Sequence, residues 1–278
     1  MMTIVEAVGV GMLVMIAGTL PRNALFAANL AVLPQLPWAV PLIAAYLWFF
    51  WRYLGGTGGA PDTRAYRRAG LRANTVPAIV WMWALATGIL GIVALVFALR
   101  AANEIVALPP QTLPDLSSVP GPTVWALLLA SAPIAGLVEE AAFRGYMQGP
   151  IERAAGLPVA ILITGTMFAV AHLDFTPVLW PYYVAVAALY GVITSYARSI
   201  WPAVVLHTAG NLYSNTDLLL HGRAEWQAPA AAAGTIWSRG VDRSFGTLIV
   251  ALAVATGATI WSASALERAG AVQEERDA

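Results

Sequence analysis

The 278-residue chain has no cysteine, no lysine and little charge of either sign. Without cysteine there is no disulfide framework and no thiolate chemistry. Charged residues make up 11% of the chain, where an ordinary soluble domain carries roughly 25%. That deficit, set against 59% hydrophobic residues and several long apolar runs, indicates an integral membrane protein. Net formal charge is zero, so nothing draws the chain to nucleic acid. No segment repeats at a fixed period, which counts against transporters built from inverted repeats. The first apolar run has no basic residue before it, which argues against a cleaved signal peptide.

What is present is a series of apolar segments, at roughly residues 3–20, 37–53, 76–99, 122–148, 158–173, 178–197, 201–219 and 246–265. Each approaches or reaches the ~20 residues of a helical crossing. The expected fold is therefore all-α, a polytopic membrane bundle of about eight helices. It forms one membrane domain over residues 1–278 with its polar chemistry in about 122–215. With the N-terminus placed in the cytoplasm, ten arginines face that side, led by Arg64, Arg67, Arg68 and Arg72, and five, Arg22 among them, face away. The asymmetry puts both termini inside. Absent lysine and abundant alanine point to a GC-rich bacterial genome, hence to a bacterial inner (cytoplasmic) membrane. Trp38, Trp51, Trp180 and Trp201 fall near span ends, as interfacial aromatics do.

Few polar groups lie at membrane depth: Glu139, Glu140 and Arg144 on the fourth span, His172 at the end of the fifth, His207 and Asn211 on the seventh. An ionisable group there marks a functional site by default, because inserting one costs roughly 2.5–3.5 kcal/mol. Helical spacing sorts them. Glu140 and Arg144 are four apart and share a face, as do His207 and Asn211, and Phe168 and His172. Glu139 is turned about 100° from Glu140 and has no partner on its own helix. Asp174, just after His172, reads as a cap of the span end. His221 reads as a solvated loop residue.

In this order on separate spans, "EEAAFR" (Glu139 to Arg144), "FAVAH" (Phe168 to His172) and "HTAGN" (His207 to Asn211) resemble the motifs of the CAAX protease and bacteriocin-processing family, also called the abortive-infection family. It includes the type II CAAX prenyl endopeptidases, which are glutamic intramembrane proteases. The resemblance implies an intramembrane endopeptidase acting on a membrane-associated protein or peptide. Residue by residue, it implies Glu139 as catalytic glutamate, Glu140 as its neighbour, and Arg144 closing the motif. It implies His172 as the water-orienting histidine, and His207 with Asn211 as the oxyanion site; Phe168 supports them.

The same chemistry follows from the residue types. Amide hydrolysis needs an activated water, stabilisation of the tetrahedral oxygen and a proton for the leaving amine. A carboxylate in apolar surroundings suits a general base near neutral pH, and Glu139 fits that role. No cofactor is implied. Two other readings use the same residues. One is a zinc protease with Glu139, His172 and His207 as ligands and Glu140 as base. The other is a non-catalytic immunity or scaffold protein that keeps a buried polar cluster for packing.

Overall fold

The structure, a computed structural model, describes residues 2–106, 117–172, 179–222 and 234–277. All regular structure among these is helical: α1 (Ile4–Val32), α2 (Ala39–Leu54), α3 (Arg64–Leu71), α4 (Ala78–Ile105), α5 (Gly121–Glu139), a π-helical segment (Glu140–Gln148), α6 (Gly149–Ala155), α7 (Leu157–Ala171), α8 (Trp180–Ala197), α9 (Trp201–His221), α10 (Ile236–Arg239) and α11 (Arg243–Asp277). Four stretches are long and apolar enough to cross a membrane: Ile4–Val32, Ala78–Ile105, Gly121–Ala155 and Arg243–Val272. Ala39–Leu54 and Leu157–Ala171 are shorter apolar helices. The fold is thus an all-α bundle of membrane type. Its outer surface carries large apolar side chains such as Leu13, Phe49, Ile89 and Val254, as lipid contact requires.

Two helices differ from the sequence reading in instructive ways. The apolar pattern ends the first span at residue 20, yet α1 runs to Val32 through Pro21. Proline cannot donate to the carbonyl four residues back. Here that carbonyl, on Ala17, accepts instead from the Tyr46 hydroxyl of α2 at 2.6 Å. The helix survives because a neighbour supplies the missing donor. At its far end Asn29, fully buried, donates to Leu33 O and Leu36 O and accepts from Ala39 N. One side chain thereby caps both the end of α1 and the start of α2. At the near end Thr3 and Glu6 form a capping box, so Glu6 is a cap. The second difference is α9, which continues to His221; that histidine sits 2.7 Å from Asp217 on the helix itself.

Close helix approach positions the centre of the bundle. A Cβ on Gly18 of α1 would overlap the Val138 side chain, and one on Gly136 of α5 would overlap Thr208 Oγ1 of α9. Small residues at these crossings bring α1 and α9 directly against α5. The core around the π-helical segment contains Ala141, Phe143, Met147, Phe168, Tyr183 and Val204.

Candidate active site

α5 carries an apolar stretch inward to Val138 and ends at Glu139. The next nine residues, Glu140–Gln148, are π-helical, and every one is buried. A π-turn widens the helix by one residue per hydrogen-bonded ring and occurs frequently at functional sites. Within it Glu140 and Arg144 keep their contact, with Nη1 3.1 Å from Oε1 and both side chains fully buried. The guanidinium makes no aligned hydrogen bond to any described residue. It lies instead among aromatic faces, 4.9 Å from the Phe168 ring centre, 5.5 Å from Tyr190 and 5.9 Å from Phe143. Cation–π attraction is strongest where water is excluded, so these rings hold the charge that Glu140 balances.

His207 enters from α9. Its Nδ1 lies 2.8 Å from Glu140 Oε1, the same oxygen that Arg144 approaches. A carboxylate facing Nδ1 places a proton on that nitrogen. The other ring nitrogen, Nε2, points to Glu139 Oε2 at 3.8 Å. Tyr190 of α8 stacks on the imidazole with 5.3 Å between centres and 12° between planes. The ring is thus fixed by a hydrogen bond on one edge and an aromatic face. Glu139 Oε2 accepts no hydrogen bond from the described residues, and Arg22 of α1 lies within its electrostatic reach.

The structure therefore brings Glu139, Glu140, Arg144, Phe168 and His207 into one cluster. The sequence reading left Glu139 without a partner and gave Glu140 to Arg144 alone; across the helices one imidazole faces both glutamates. His172 stands one ring away. It ends α7, is exposed, directs Nδ1 to Phe168 O at 2.8 Å, and packs against Phe168 and Tyr183 at 4.4 and 4.6 Å between centres. Asn211 lies one turn beyond His207 on α9, half-buried. Asp174 lies outside the described residues. Among the described residues no three His, Asp or Glu side chains are grouped as metal ligands.

Three features were missed from sequence. The π-helical turn leaves no mark in hydrophobic periodicity, since all nine residues are buried. Tyr190 carried no signal beyond being aromatic. The apolar pattern leaves Arg22 past the end of its span; the run from Ala24 to Val32, "ALFAANLAV", is the sign in the sequence that the helix continues.

The fold and cluster define a class, a helical membrane-type protein with a buried Glu–Arg–His site. Residues 121–213, about a third of the chain, match the family model "Type II CAAX prenyl endopeptidase Rce1-like". That stretch contains all three motifs, and the family is one of peptidases. No curated protein and no solved structure matches the chain.

Proposed function

We propose that the protein is an intramembrane endopeptidase that hydrolyses a peptide bond of a membrane-associated protein or peptide, with Glu139 as the base that activates water. The observation that carries this reading is the approach of one imidazole to both glutamates. Arg144 balances Glu140, and Glu140 holds Nδ1–H of His207. This leaves Nε2 turned to Glu139 Oε2 across 3.8 Å. A gap of that size suits a water that touches both atoms. Two acceptors would hold its hydrogens and leave its lone pairs outward, toward a substrate carbonyl.

In this reading the water oxygen attacks the carbonyl carbon and Glu139 takes its proton. Asn211 donates to the developing oxyanion, and the second hydrogen of the water stays on the new hydroxyl, held by His207 Nε2; a well-placed donor contributes roughly 3–4 kcal/mol. As the tetrahedral centre collapses, the proton on Glu139 passes to the leaving amine. His172, with Nδ1 committed to Phe168 O, keeps Nε2 for orienting water or relaying that proton at the exposed edge of the site. The arginine asymmetry supports an orientation with both termini in the cytoplasm; a bacterial cytoplasmic membrane and a catalytic core over residues 122–215 are part of the same proposal.

The test is to express the wild type and His207→Ala in the host and compare membrane-protein fragments. A product that vanishes in the variant supports the reading. Identical fragment sets in the two strains would leave a non-catalytic scaffold. Cleavage by the purified protein is expected to survive exhaustive chelation; its loss, with recovery on adding zinc, would move the mechanism to a metal-bound water.

A further inference from the structure

At the end of the bundle where α2 stops and α4 and α9 begin, α3 is fastened flat by buried polar contacts. Arg67 turns inward, donates to Tyr53 O and to Gly58 O, and lies 4.2 Å from the Tyr53 ring centre. The Tyr146 hydroxyl of the π-helical segment sits between Leu54 O and Arg67 O, at 2.9 and 2.8 Å, with its one hydrogen shared between them. The linker after α3 is stitched to the α8–α9 turn: Ile200 N donates to Arg72 O, Asn74 Nδ2 to Arg198 O, and Ser199 Oγ to Asn74 O. α3 is therefore a fixed part of the bundle end.

Between α2, α3, this linker and the first residue of α9 lies a cavity of about 400 Å³ lined by Trp51, Arg68, Leu71, Asn74, Thr75 and Trp201, among others. None of its lining residues is acidic. Arg68 is exposed and forms no ion pair or hydrogen bond with the described residues. Asn74 has a second amide hydrogen, Thr75 a hydroxyl, and the two indoles an N–H each. The polar wall thus offers donors and a cation with no counter-charge, which is the chemistry of an anion site. The rest is apolar, with Trp51 and Trp201 at 5.1 Å between ring centres. One turn back along α2, on the side of Trp51 and Gly55, stands Trp48, 61% exposed, with Arg52 beside its ring. With Leu42 and Phe49, also exposed, Trp48 makes an apolar track along α2 beyond the cavity.

We propose that this cavity binds the phosphate of an anionic phospholipid in the adjacent leaflet, with Arg68 as its principal contact and the acyl chain along Trp48. The shared chemistry is a phosphate ester; the apolar track is what assigns it to lipid. The site is separate from the Glu139 cluster, so the proposal stands apart from the proteolytic reading.

Native mass spectrometry of the full chain in detergent tests it, with added phosphatidylglycerol, phosphatidylcholine or inorganic phosphate. The wild type is expected to retain phosphatidylglycerol in preference to phosphatidylcholine. Arg68→Gln should weaken that binding about tenfold, the effect of one charge-assisted contact. Arg64→Gln, exposed on the same helix but outside the cavity, should leave it within about twofold. Equal binding by Arg68→Gln and wild type would overturn the proposal, and so would an equal loss in Arg64→Gln. Inorganic phosphate held as tightly as the lipid would overturn the assignment to lipid.

Discussion

Around Glu139, α5 and α9 enclose two carboxylates, a guanidinium and an imidazole, whereas α4 and α11 meet through small and apolar residues. In the second region Ala255, Ala265 and Leu266 of α11 are buried, and Trp83 of α4 meets Trp261 of α11 edge to face at 5.4 Å. No contact there depends on another being charged, so a change costs what it removes. Around Glu139 each charge is tolerable only because a neighbour balances it. Arg144 and Glu140 are fully buried, with Glu139 and His207 8% and 7% exposed. A loss there strands the partner, and its effect should not be additive.

The sharpest test of the contrast is within the site. Glu139→Gln should lower peptide cleavage by about 10²–10⁴-fold, the range of a general base. It should leave the melting temperature in detergent unchanged or raised, because a disfavoured charge is gone. Turnover near the wild-type rate, with Glu140→Gln stable but inactive, would show that the roles of the two glutamates are reversed. Glu140→Gln should behave differently, losing stability as well as activity. It leaves Arg144 without its counter-charge and offers His207 Nδ1 at best a neutral amide oxygen, a cost of about 3–5 kcal/mol. Arg144→Met should match it, and the double variant should regain part of the loss. Melting temperatures of all three variants give the coupling directly; additive shifts would remove the distinction drawn between the two regions.

Smaller effects test the packing on either side. Gly136→Val would press on Thr208 Oγ1, Val204 O and Thr208 N. Overpacking should cost about 1–3 kcal/mol, and it should also reduce cleavage by moving His207 from the glutamates. Trp261→Leu, in the apolar pair, should cost about 0.5–1.5 kcal/mol and leave cleavage per folded molecule unchanged. Thermal melting and a peptide assay on the same samples separate the two.

The sequence made some of this legible and hid the rest for physical reasons. Spacing of four identified the Glu140–Arg144 pair, because both residues lie on one helix. It could not show that His207 reaches both glutamates. That depends on how closely α9 approaches α5, which Gly136 and Thr208 decide. The continuation of α1 past Pro21 was hidden likewise, since the donor that rescues it, Tyr46, belongs to another helix. The motifs marked the chemistry, and the apolar runs marked the helices. Geometry between helices was the part that one-dimensional periodicity does not carry.

The π-helical segment has a consequence in terms of chain length. A π-turn is an α-helix carrying an inserted residue, so Glu140–Gln148 holds a length that an ordinary helix would not need. Deleting one residue between Ala141 and Phe143 would let the segment relax toward an α-helix. Where the buried surroundings hold the wide turns instead, everything beyond the deletion turns by about 100° relative to α5. Arg144 would leave its aromatic surroundings, and Tyr146 would leave the carbonyls of Leu54 and Arg67. Substitutions in this stretch alter one contact at a time, whereas a single-codon deletion would separate the glutamates from the end of the bundle in one step. Insertions and deletions should therefore be purged here even where the replaced side chains would be tolerated.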